Sequence, residues 1–259
     1  MTALDADAVV VGLGIHGSAA TAELARRGVD VIAVDRFAPG HTRGSSHGRT
    51  RMIRRAYPNP LWNDFVSRAF DGWAALSQES GQTLIHRTGG LYAHRGESLL
   101  QGPDCEVIDD PMRMADLMPG FRVPDGYRAV YDPAAGVIEA SDALTALHRS
   151  AEAHGADLRW GTRALEWQQV PTGVVLRTDA GEIRARRLVL AGGGWMGALV
   201  PDLAPLLEVW RILTLTVASG QALGAPPSLG AFSVDRPEGL VFGIPDAAGN
   251  GVKLGVDAG

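Results

Sequence analysis

The first chemistry legible in this chain lies in glycines followed by an acid. Gly12, Gly14 and Gly17 fall within Val9-Val10-Val11-Gly12-Leu13-Gly14-Ile15-His16-Gly17, and Asp35 follows about twenty residues later. A tight turn at Gly12, an unobstructed backbone at Gly14 and close helix packing at Gly17 would seat the pyrophosphate of a dinucleotide on a helix N-terminus. Asp35 would accept hydrogen bonds from the adenosine ribose. An acid there disfavours a 2′-phosphate, although the neighbouring Arg36 keeps that point open. The pattern does not separate FAD from NAD, and glycine turns of this kind also occur without a ligand.

A second cluster follows. Between residues 43 and 55 the chain carries five arginines, Arg43, Arg49, Arg51, Arg54 and Arg55, behind a glycine- and serine-rich loop. Arginine forks match carboxylates and phosphates, so an anion site is one reading; a solvated basic face is the other.

These residues need elements to hold them. Residues 8–11 and 29–34 read as buried parallel strands, and residues 18–27 as the helix between them, stopped at Gly28. Asp35 then sits at a strand end. Residues 61–78 show helical spacing (Trp62, Phe65, Val66, Ala69, Phe70, Trp73, Leu76), which predicts a long helix with that stripe in the core. Residues 141–155 predict a helix capped by Ser141 and ended by Gly155. Residues 157–160 and 174–178 read as strands, and residues 186–191 as a buried strand running into Gly192-Gly193-Gly194. From Leu206 to Val217 the alternation is that of a sheet, resumed at residues 240–245 and 252–255.

The whole chain sets limits. It has 259 residues, 46% of them hydrophobic, enough for one large domain or two modest ones. A net charge of -5 argues against a general nucleic-acid binder. Cys105 is the single cysteine, which excludes an internal disulfide or a multi-cysteine metal site, and no metal is expected. Apolar runs are too short to span a membrane, and the N-terminus leaves no room for a signal peptide, so a cytoplasmic protein is expected.

The stretch Gly44-Ser45-Ser46-His47-Gly48-Arg49-Thr50-Arg51-Met52-Ile53-Arg54-Arg55-Ala56-Tyr57 resembles the signature of the monomeric sarcosine oxidase and N-methyltryptophan oxidase family. These are FAD-dependent amine oxidases of the D-amino-acid-oxidase-like group. The resemblance implies FAD as cofactor, a small amino-acid or amine substrate, oxidation of the secondary amine of an N-methyl or cyclic amino acid, and molecular oxygen reduced to hydrogen peroxide. It implies that Arg51 lies against the flavin ring, that Arg54 holds the substrate carboxylate, and that Lys253 assists reaction with oxygen. Ser45, His47 and Thr50 would belong to the flavin-contacting loop, Ala164 would touch the adenine through its backbone, and Gly193 and Trp195 would lie near the cofactor. Arg49, Phe242 and Asp257 depart from the pattern, where an acid, a tyrosine and a histidine are expected. Cys105 is not the family's flavin-linking cysteine and is expected to be inert.

The resemblance implies an α/β fold: a Rossmann-like FAD-binding domain (residues 1–82 and 142–201) with an inserted α+β substrate domain on a mainly antiparallel sheet (residues 83–141 and 202–259). Against the family pattern the sequence ends about a third early, so a C-terminally truncated member is expected. Two other readings stay open: a non-catalytic remnant that binds FAD or another nucleotide, and an NAD-dependent dehydrogenase, which leaves residues 44–57 unexplained.

Overall fold

The structure is a computed structural model that describes residues 3–218 and 229–258. In chain order it contains β1 (Ala6–Val11), α1 (Ile15–Arg26), β2 (Val31–Asp35), β3 (Thr50–Ile53), α2 (Leu61–Ser80), β4 (Ile85–Arg87) and β5 (Gly90–Arg95). Then come β6 (Glu106–Ile108), α3 (Pro111–Leu117), β7 (Tyr127–Asp132), β8 (Gly136–Glu139), α4 (Ala140–Ala153), β9 (Asp157–Trp160), β10 (Ala164–Val170) and β11 (Gly173–Thr178). The remainder holds β12 (Gly181–Leu190), α5 (Met196–Leu199) between two 3-10 turns, β13 (Thr214–Val217), β14 (Ala231–Arg236), β15 (Gly239–Ile244) and β16 (Val252–Asp257).

These elements form two compact units. The first comprises residues 1–48 and 140–209, the second residues 49–139 and 210–259. The first is built on a six-stranded sheet in the order β10-β11-β12-β1-β2-β9. β1 runs parallel to both β2 and β12, and β2 parallel to β9, while β11 pairs antiparallel with its two neighbours. That is the Rossmann-like sheet the sequence predicts. Val9, Val10, Val31 and Val34 are wholly buried, as strands of a parallel sheet covered on both faces should be. Side chains of Val9, Val11, Ile32, Val34, Leu176 and Ile183 share one core.

The second unit carries a seven-stranded sheet, β13-β16-β15-β14-β5-β7-β6, and a three-stranded one, β3-β8-β4. The larger is mainly antiparallel, as expected; β14 against β5 is its parallel pair. Leu91, Ile108, Met114, Met118 and Ala129 form a core on this sheet.

Several local expectations differ from what is observed. Residues 49–82, assigned by sequence to the first domain, group with the second unit, because β3 pairs with β8 over Thr50–Glu139 to Ile53–Gly136. The α2 helix forms, with Asn59 Oδ1 accepting the Leu61 N–H (2.9 Å), but its apolar stripe is not a continuous core. Phe70 and Leu76 are buried, whereas Trp62 and Phe65 are about half exposed (48% and 57%). Helical spacing identifies a face but not what covers it. Residues 207–213 form no strand, and their apolar side chains are exposed; β13 begins only at Thr214. Ser141 lies inside the first turn of α4, where its hydroxyl donates to the Gly48 carbonyl (3.1 Å) instead of capping the helix.

Candidate functional site

In the first unit, β1 ends at Val11 and the chain turns through Gly12 with φ +95°, a conformation glycine adopts without strain. A methyl group on Gly12 would stand 2.5 Å from the Ala191 carbonyl oxygen at the end of β12. Gly17, in the first turn of α1, is still tighter: a Cβ there would lie 1.7 Å from the Gly12 carbonyl oxygen. At Gly14 the constraint is different, because an added Cβ would meet only the Ser46 side chain, at 3.1 Å. Gly14 is also the N-cap of α1 and offers that helix no side-chain cap.

The acid follows the same logic. Asp35 is buried, and its Oδ2 accepts the Leu13 N–H (2.8 Å) while Oδ1 accepts the Phe37 N–H (2.8 Å). Each carboxylate oxygen keeps a further lone pair for a ribose hydroxyl. The Thr162 N–H donates to the Asp35 carbonyl (2.8 Å), which brings the approach to β10, and so Ala164, beside the end of β2. Arg36 is exposed and stacks on Phe37, 5.2 Å from its ring centroid; Phe37 in turn meets Trp195 at 5.6 Å. Gly44 lies next to Trp195 and His41, so the loop carrying Ser45 and His47 passes over this edge. His47 Nδ1 contacts the Gly44 carbonyl. Gly193 opens the 3-10 turn that contains Trp195.

Ser46 also stands at this turn, and sequence reasoning does not single it out. Its Oγ accepts the Ile15 N–H at 2.9 Å, tying the arginine loop to the start of α1. Its only local signal is a serine beside another in a glycine-rich loop.

In the second unit, Thr50, Arg51 and Lys253 come together. Lys253 on β16 donates from Nζ to the Thr50 carbonyl. Burial, and after it the Arg51 guanidinium, push the Lys253 ammonium down to about 8. Burial also lowers the Arg51 pKa. Arg54 lies 4.9 Å from the ring centre of Tyr57 and 5.4 Å from that of Tyr92. It forms no ion pair among the described residues. Tyr57 is pinned by a two-way backbone bridge to Gln101 (2.9 and 3.0 Å). Tyr92 is buried with its hydroxyl unpartnered among the described residues, and burial, then Asp132, raise its pKa well above the ordinary phenol value. The turn after Arg54 is held by Asp132, whose Oδ2 accepts the N–H groups of Arg55 and Ala56. Neither tyrosine is singled out by spacing, since they stand 35 residues apart in sequence.

Other candidates stay outside these clusters. Burial, followed by Asp132, pushes the Cys105 thiol up to about 12, too high for thiolate chemistry at neutral pH. No group of three or more His, Cys, Asp or Glu side chains that could hold a metal ion occurs among the described residues. No helix among them is long and apolar enough to cross a membrane.

A parallel sheet with its glycine turn at a helix N-terminus, and an acid ending the second strand, defines a dinucleotide-binding protein of the Rossmann type. The residues fit an FAD adenylate: Gly14 puts no side chain at the cap of α1, and Asp35 retains acceptor capacity. The sequence matches the FAD dependent oxidoreductase family over residues 7–258, and the chain belongs to that family. It is 31% identical to the monomeric sarcosine oxidase of Bacillus sp. (strain B-0618), over 96% of this chain and 67% of the relative. It is 28% identical to the N-methyl-L-tryptophan oxidase of Yersinia pestis (strain Pestoides F), over 97% of this chain and 70% of the relative. Among solved structures, a mutant of NikD, described as an unusual amino acid oxidase essential for nikkomycin biosynthesis, matches with a TM-score of 0.78 and 25% identity. That match covers 98% of this chain and 70% of the other. FAD is therefore the cofactor, and the chain spans about two thirds of the length of the relatives it matches.

Proposed function

We propose that this chain oxidises the secondary amine of an N-methyl or cyclic amino acid, with molecular oxygen as the final acceptor and hydrogen peroxide as product. FAD, when bound, supplies the two-electron acceptor. In the first unit Gly12, Gly14 and Gly17 would receive its pyrophosphate and Asp35 its ribose. Arg36, Ser45, His47, Ala164, Gly193 and Trp195 would line the same nucleotide edge.

The observation that carries the substrate reading is Arg54. It is a guanidinium held between two tyrosine rings with no acidic partner among the described residues, a form suited to bidentate capture of a carboxylate. An amine substrate anchored by its carboxylate would have its position fixed before reaction, which is where binding energy aids rate. Arg51 and Lys253 place two positive charges next to one another. Charge developing on reduced oxygen or on an anionic group would be stabilised there.

The experiment mixes the FAD-loaded chain with sarcosine or other N-methyl amino acids without oxygen, then admits oxygen and assays peroxide. Reduction by the amine, followed by one peroxide per turnover, supports the reading. In Arg54→Lys the fork is lost, and KM for the amino acid should rise about 10- to 100-fold. The same KM for Arg54→Lys and for the parent chain would refute the carboxylate assignment. The exposed apolar residues Leu206, Val209, Leu213 and Leu215 favour a second reading, a chain that binds FAD without turnover. A loaded chain that no amine reduces would select it.

A further inference from the structure

Leu13, between the first two glycines of the turn, is held at both of its backbone polar groups, one in each flanking peptide. Its N–H donates to Asp35 Oδ2 (2.8 Å), and its carbonyl accepts the Ser18 hydroxyl (2.8 Å). Ser18 is almost wholly buried, and its Oγ lies 2.8 Å from His148 Nε2 on α4. The same Nε2 stands 3.4 Å from the Leu13 carbonyl oxygen. With the Ser18 proton committed to Leu13, His148 must carry its proton on Nε2 and donate it to the serine oxygen; the other tautomer would turn a lone pair on the carbonyl. Trp160 on β9 fixes the imidazole edge-on, with ring centres 4.9 Å apart at 71°.

The geometry matters because a peptide is planar and trans. Holding the Leu13 carbonyl toward Ser18 and His148 turns the Gly14 N–H, in the same peptide, the opposite way. That N–H stands at the cap of α1, where the pyrophosphate would be received. We propose that His148 is a positioning residue for the dinucleotide turn: acting through Ser18, it fixes the Leu13–Gly14 peptide and so aims the Gly14 N–H at the cofactor phosphates. The proposal rests on FAD being held at this turn. Burial keeps His148 neutral at physiological pH, in the state with a single donor at Nε2.

The test uses the full chain with Ser18→Ala, His148→Leu and His148→Gln, the last keeping an N–H near the Nε2 position. FAD affinity is read by quenching of flavin fluorescence, with the melting midpoint measured alongside. S18A and H148L should each weaken FAD about tenfold, and the double variant no more than either alone, since both break one chain of hydrogen bonds. H148Q should bind within about twofold of the parent. FAD binding by H148L equal to the parent's overturns the proposal. So does an H148Q as weak as H148L with the same fall in midpoint, which would mark a packing role only. Should the parent chain itself fail to take up FAD, the cofactor reading fails, and amide exchange of the ligand-free chain then decides the positioning role. Faster exchange around Gly14 in H148L but not in H148Q supports it, and unchanged exchange overturns it.

Discussion

Adding one methyl group to Gly17 should break the nucleotide site by moving a helix, whereas the same methyl on Gly14 should block the site and leave the fold alone. At Gly17 the new Cβ would lie 1.7 Å from the Gly12 carbonyl oxygen, 2.9 Å from its carbon and 3.2 Å from the Ala191 methyl. An ordinary carbon–oxygen contact is about 3.3 Å, so α1 must retreat by roughly 1.5 Å. The obstacle is backbone, which has no rotamer to offer. Overpacking of this kind costs about 3 kcal/mol, and in a chain of this size lowers the melting midpoint by roughly 6–12 °C. At Gly14 the nearest atom is the Ser46 hydroxyl oxygen at 3.1 Å, a side chain that can rotate. Thermal melts followed by circular dichroism, together with FAD titration, separate the two outcomes. Gly17→Ala should lose both stability and FAD binding. Gly14→Ala should melt within about 2 °C of the parent and still bind FAD at least tenfold more weakly. A Gly17→Ala variant that melts and binds like the parent would refute the close-approach argument, and with it the turn geometry.

Three further outcomes follow from charge and burial. Lys253 sits at about 8, so its positive charge disappears as pH rises through that value; the rate of reoxidation by oxygen should fall with a midpoint near 8, and Lys253→Met should be slow and nearly pH-independent, as stopped-flow absorbance would show. The same residue has a sign for stability. Its folded value lies below the ordinary 10.5, so the unfolded chain holds the proton longer, and this group's contribution to stability rises from pH 8 to 10.5; the rise should be missing from K253M melts over that range. His94 and His148 are held below the ordinary 6.5, chiefly by burial, so the unfolded chain takes up protons first and stability falls as pH drops through 6.5; melting midpoints from pH ~7.5 to ~5 should decline, less steeply in H148Q.

What the sequence discloses and what it hides divide along contact range. The strand, glycine turn, helix, strand and acid are consecutive, so residue type and spacing alone are enough to propose Gly12, Gly14, Gly17 and Asp35. They do not reveal the donors that occupy Asp35, nor Ser46 on the Ile15 N–H. Lys253 meets Thr50 across 203 residues, and Ser18 meets His148 across 130. No periodicity carries such pairings; Lys253 is reached through family resemblance, and His148 has no sequence signal at all. Apolar spacing fails in a different way. The stripe of α2 and the alternation over residues 207–213 state which side chains prefer burial, but burial needs a partner surface. Trp62, Phe65 and Leu213 remain exposed. Likewise β3 follows the first domain's elements in sequence, yet its pairing with β8 draws residues 49–82 into the second unit.

The central claim is that this chain holds FAD through the Gly12–Gly17 turn and Asp35. It is tested most directly by the visible absorption spectrum of the purified chain, as isolated and after incubation with FAD and gel filtration. Flavin bands should travel with the protein, at close to one FAD per chain, and should be lost in Gly14→Ala. A chain that stays colourless after reconstitution, or a Gly14→Ala variant that retains the same flavin content, would contradict the claim.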